Sequence, residues 1–136
     1  MHTTFTISTS GPGLYEFTDE VVQWLPRGQD GLLTLFVRHT SCSLLIQENA
    51  DPSVQRDLQA FFTRLVPPAD DPDMAYLTHI QEGADDMPAH IKAAMLPVSL
   101  SVPIISGRIQ LGKWQGIYLF EHRRHPHVRQ VAAMLN

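Results

Sequence analysis

Strand-like runs in this chain are not joined by a regular succession of helices, and that order restricts its fold more than any other feature of the sequence. Thr3–Ser8 places Phe5 and Ile7 at strand spacing. Leu32–Arg38 follows the Asp30-Gly31 turn signal, and Ser43–Gln47 reads as another buried strand. Leu100, Val102 and Ile104 form a strand with Pro103 at an edge or bulge. Arg108–Leu111 pairs back after Gly107, and Trp114–Glu121 is the last strong strand. Tyr76–Ile80 reads as a short strand, and Val128–Leu135 fits strand or helix. Without strand–helix–strand alternation, the class is α+β.

The helices punctuate this pattern. Thr18 is expected to cap a short helix over Asp19–Leu25. The clearest element begins at Asp51 as N-cap with Pro52 at the first helical position. Val54, Leu58, Phe61, Phe62 and Leu65 recur on one face as a core stripe, and Pro67-Pro68 stops it. A further helix starts with Asp86 as N-cap and turns Ile91, Ala94 and Met95 inward, ending at Pro97. The 136 residues fit one domain, 1–136, large enough for a real core.

Charge and composition exclude whole classes. A net charge of -4 is the wrong balance for a general nucleic-acid binder, which needs surplus Lys and Arg to displace counterions. No apolar segment is long enough to span a bilayer, so no membrane partner is expected. The first residues lack a signal peptide's basic and apolar regions, which makes the cytoplasm the expected location. The single cysteine, Cys42, lies in an apolar run and reads as a small core residue. G-x-G-x-x-G, P-loop and G-x-S-x-G patterns are absent.

The chemistry rests on histidines, of which there are seven. His39, His79 and His90 fall at element ends, where sites gather. Neutral imidazole is the commonest zinc ligand, and three protein ligands with an open fourth position make a catalytic site. No close-spaced ligand motif joins the three. His122-Arg-Arg-His-Pro-His127 reads either as an exposed basic turn or as a phosphate contact through Arg123 or Arg124. Glu121 and Glu48 are carboxylates able to support a metal or move a proton, or to be surface residues. Asp85 and Asp86 read chiefly as helix caps.

Three stretches together resemble the YjbQ family, also called secondary thiamine-phosphate synthases. They are Arg38–Asn49 (RHTSCSLLIQEN), Glu82–Lys92 (EGADDMPAHIK) and Gly107–Arg123 (GRIQLGKWQGIYLFEHR), in the family's order and intervals over nearly the whole chain. The resemblance implies a compact fold with a mixed or antiparallel sheet sandwich and two main helices, assembled as a homotrimer. It implies a site of His39, Thr40, His90, Trp114, Gln115 and Glu121, with His79 at the place of a further family histidine, and a bound metal. Lys113, Pro97 and the basic turn after Glu121 depart from the common family pattern.

The implied reaction joins a pyrimidine-methyl diphosphate to a thiazole phosphate with loss of pyrophosphate. The expected cofactor is a divalent ion, zinc, or magnesium with a diphosphate substrate, on His39, His79 and His90. Arg38, Arg108 and Arg123 would share the phosphate charge. Glu121, His39 and Arg108 are the expected catalytic residues, and Thr40, Trp114 and Gln115 the substrate contacts. Metal-assisted hydrolysis of a phosphate or amide suits the same residues. So does a non-catalytic trimer that binds a phosphorylated metabolite.

Overall fold

The computed structural model describes residues 1–136. Its strands are β1 (His2–Thr9), β2 (Gly13–Glu16), β3 (Gly31–Val37), β4 (Cys42–Glu48), β5 (Ser99–Ile105), β6 (Arg108–Ile109), β7 (Gln115–Glu121) and β8 (His127–Leu135). Its helices are α1 (Thr18–Trp24), α2 (Pro52–Leu65) and α3 (Asp86–Met95), with one 3-10 turn at Pro72–Met74. The strands form two sheets, β1-β8-β3-β5-β6 and β2-β7-β4. Every pairing is antiparallel. The α+β class holds, and the sheets are antiparallel rather than mixed.

The two sheets bury one face each against the other. Leu33, Leu35 and Val37 of β3, with Val131, Ala133 and Leu135 of β8, meet Leu44 of β4 and Ile117 and Leu119 of β7 in one apolar cluster. The alternation in β3 and β8 is the ordinary signature of a strand with one solvent face. Val128–Leu135 is therefore strand, and its inward set includes a charge, Arg129. Strand β7 is buried on both faces. Its odd positions face the core between the sheets, while Tyr118 and Phe120 face the helices. Gln55 of α2 donates to the Tyr118 hydroxyl at 2.9 Å, and Phe62 meets Phe120 edge-on at 5.7 Å.

Three local expectations are corrected. Thr18 is the first residue of α1, not its cap; its hydroxyl donates to Glu16 and accepts from the Ile117 N–H. Tyr76–Ile80 is not a strand, since no neighbouring strand offers it a ladder. In α3 the buried positions are Asp86, Pro88, Ala89, Lys92 and Ala93, while Met95 is exposed. The helix is rotated from the orientation its apolar residues suggest, because it seats polar groups beside β4 and the segment after β7. Helix α2 starts as expected, with Asp51 accepting from the Ser53 N–H at 2.9 Å. None of its residues is fully buried, however, and Phe61 and Leu65 face solvent.

Candidate metal centre

Helix α3 places Asp86 and His90 four residues apart, on one face. The loop before it brings back His79 and Glu82. The turn between Glu82 and Asp85 needs Gly83, whose φ of +105° side-chain-bearing residues rarely adopt. The four residues offer ligand atoms that all lie within 4.8 Å of one another. His79 Nε2 is 2.9 Å from Asp86 Oδ2 and 3.1 Å from Glu82 Oε2. His90 Nε2 is 3.2 Å from the same Asp86 oxygen. Asp86 is enclosed, whereas His79 and Glu82 are open to solvent.

The supporting bonds orient these donors. A carbonyl can only accept, so His90 Nδ1 donates to Thr40 O at 2.9 Å. In the neutral ring that leaves the Nε2 lone pair aimed at the Asp86 carboxylate. Two such groups repel unless a proton or a cation lies between them. Arg123 Nη1 donates to Asp86 Oδ1 at 2.6 Å, which leaves Oδ2 facing the histidines. A histidine anchored through its second nitrogen and a carboxylate held by a neighbour are the usual outer contacts of metal ligands. Asp86, then Glu82, raise the pKa of His79 by hydrogen bonding to its charged form. Burial pushes Asp86 upward, but its bonds to Glu82 and His79 and the charges of His90 and Arg123 hold it below the ordinary range.

The residues read from the sequence divide sharply. His79 and His90 join the cluster. His39 does not: its Nε2 accepts from the Gln130 N–H at 2.8 Å, so that lone pair is taken. Burial and the charge of Arg129 lower its pKa. It borders the same shallow depression as His90 and Thr40, and Thr40 contributes its carbonyl rather than its hydroxyl. Arg123 is fully engaged, with Nε on Asp85, Nη1 on Asp86 and Nη2 on Glu82 O, so it braces the acidic groups instead of waiting for a phosphate.

Glu121 is completely buried. It accepts from Arg129, Thr9 and the N–H groups of His122 and Arg123. Burial pushes its pKa up, and those bonds outweigh it and hold the carboxyl below its usual range. It locks the two sheets together and has no open side for a substrate.

Trp114 and Gln115 lie at the opposite end of β7 from Glu121, about 20 Å away for a strand of that length. Trp114 is exposed beneath Lys113, and Gln115 accepts from the Gly112 N–H. Arg108 is exposed on β6, at the edge of the larger sheet, and Arg38 is exposed at the end of β3. Sequence reasoning misses the cluster's two carboxylates as ligands. Asp86 resembles a cap there, although its spacing of four from His90 is a usable signal. Asp85, the residue before it, takes the cap position.

The model of the family described as UPF0047 protein YjbQ-like matches residues 3–136. UPF0047 protein sll1880 of Synechocystis is 48% identical over 127 residues, 92% of this chain and 84% of that protein. UPF0047 protein YjbQ of Escherichia coli O157:H7 is 47% identical over 135 residues, 97% and 94% of the two chains. Among solved structures, the conserved hypothetical protein TT1486 of Thermus thermophilus superposes with a TM-score of 0.85 at 34% identity, covering 98% of this chain and 99% of that one. The hypothetical protein APE1520 of Aeropyrum pernix gives 0.87 at 26%, covering 100% and 98%.

Proposed function

We propose that this chain, which belongs to the UPF0047 YjbQ-like family, is a divalent-metal enzyme acting on small phosphorylated molecules, with His79, Asp86 and His90 holding the ion and Glu82 beside its open position. The observation that carries this reading is the convergence of two imidazoles and two carboxylates, two of them fixed from behind by Thr40 and Arg123. Two imidazole donors suit zinc and its neighbours better than magnesium, which prefers oxygen ligands and retained water. When bound, such an ion supplies Lewis-acid stabilisation of phosphoryl oxygens.

The residues do the rest. Asp86, enclosed and charged, fixes the position of the site. His90 is held to one tautomer by the Thr40 carbonyl. The exposed pair His79 and Glu82 leaves the solvent side open to a ligand, and Glu82 is the carboxylate placed to take up or release a proton there. The resemblance to secondary thiamine-phosphate synthases makes the joining of a pyrimidine-methyl diphosphate to a thiazole phosphate the first reaction to assay, with metal-assisted phosphate hydrolysis beside it. Trp114, Gln115 and Arg108 lie away from the cluster within one chain. A cytoplasmic homotrimer, in which one copy's outer residues face another's cluster, is the assembly in which they would take part.

The test measures metal per chain together with pyrophosphate and phosphate release. About one zinc-class ion per chain is expected, lost in His79→Ala and His90→Ala along with turnover, and kept in His39→Ala. Retention of the ion in His90→Ala would overturn the assignment. Metal binding with no turnover on any phosphorylated substrate would leave a binding module instead of an enzyme.

A further inference from the structure

On the other side of α3 from the metal cluster lies a second polar pocket that the proposed reaction does not use. Gln59 and Thr63, one turn apart on α2, form one wall. Lys92 of α3 forms another. His122 and Arg124, from the segment after β7, close it, with Asp85 at the rim. The pocket is open to solvent on one side, with a volume of about 80 Å³. A single water needs roughly 10–15 Å³ of such space, so the pocket holds a few waters or one small ion.

Its charge selects the sign of that ion. Lys92 is 8% exposed; its ammonium makes no hydrogen bond or ion pair within the chain and meets solvent through the open side of the pocket. Arg124 adds a second cation. The one carboxylate, Asp85, is occupied by the Arg123 side chain and the Arg124 N–H. His122 spends Nε2 on Ser43 at 2.9 Å, and Gln59 and Thr63 add polar groups. The ammonium is largely buried, with Asp85 as its one nearby opposite charge and Arg124 as a second cation beside it, and this balance favours an anion with several acceptor oxygens.

We infer that Lys92, Arg124 and His122 form a binding site for a phosphate-sized oxyanion, separate from the metal cluster. The donors match such an anion: an ammonium as a point charge and a guanidinium able to bind two oxygens. Position adds a consequence. His122, Arg123 and Arg124 are consecutive, and the middle residue braces Asp86 while its neighbours line the pocket. An anion held there stiffens the segment that supports the metal ligand.

The experiment titrates orthophosphate into the full chain, following thermal stability and binding heat, against potassium chloride at matched ionic strength. Saturable stabilisation with about one anion per chain is expected. Affinity falls at least about tenfold in Lys92→Met and in Arg124→Gln. His90→Ala, which disrupts the metal cluster, keeps phosphate binding; this separates failure of the pocket from failure of the metal assignment. A glycerol phosphate arm identifies the source. Competition with orthophosphate points to the terminal phosphate of a metabolite, and binding of orthophosphate alone to the free anion. No saturable effect beyond the chloride control, or undiminished binding in both Lys92→Met and Arg124→Gln, overturns the proposal.

Discussion

Replacing Asp86 by Asn keeps the side chain's shape and one oxygen for Arg123 but removes the charge that both histidines face. Zinc affinity measured calorimetrically should fall by at least the roughly 10- to 100-fold that loss of a supporting partner causes, with little change in the fold. Glu121 behaves oppositely. Glu121→Ala leaves Arg129 charged and enclosed without its partner, which costs about 3–5 kcal/mol, read as a lower urea midpoint. Metal content should be unchanged. Adding Arg129→Leu to that variant should recover part of the loss, because the stranded charge is gone. The outcome that would contradict this assignment is loss of turnover in Glu121→Gln with stability intact.

At the scale of elements, the metal cluster depends on one helix turn and one tight loop. Gly83→Ala forces a side-chain-bearing residue to φ +105° and brings its Cβ to 3.0 Å from Asp85 Oδ1. Strain of about 1–3 kcal/mol is expected, with weaker metal binding because Glu82 and His79 shift relative to α3. Titration of zinc into Gly83→Ala checks this directly. Helix α2 shows the limit of periodicity. Its stripe of Val54, Leu58, Phe61, Phe62 and Leu65 is legible in the sequence, but the helix is rotated so that Gln55, Gln59 and Phe62 turn inward. Phe62 packs on Phe120, while Phe61 and Leu65 remain exposed.

Across the whole molecule, stability should depend on pH through His122. Its ring is enclosed beside Phe120 and Ser43, and burial, then the charge of Lys92, lowers its pKa to about 3. The unfolded chain binds that proton near pH 6.5 and the folded chain does not. The contribution is therefore complete above pH 6.5 and is lost as pH falls toward 3, by about 1.4 kcal/mol per pH unit. Between pH 6.5 and 5, where ordinary carboxylates stay ionised, His122→Gln should flatten the dependence of the urea midpoint on pH. An unchanged slope would show that the ring is not held neutral.

The sequence by itself determined the α+β class, most of the strands, both longer helices and, through three matching stretches, the family. These follow from short-range rules: side chains alternate in strands, recur every three to four residues in helices, and turns take Gly, Pro, Asp or Asn. It also singled out His79 and His90. Only the tertiary structure decided what stands beside them. Asp86 reads as a cap because its near neighbours are a Pro and a helix, and becomes a ligand candidate because His79 and Arg123 arrive from elsewhere in the chain. Arg129 hides in an alternating strand until Glu121 is seen opposite it. Long-range pairing of charges depends on where the sheets and α3 meet in space, and no local pattern encodes that distance.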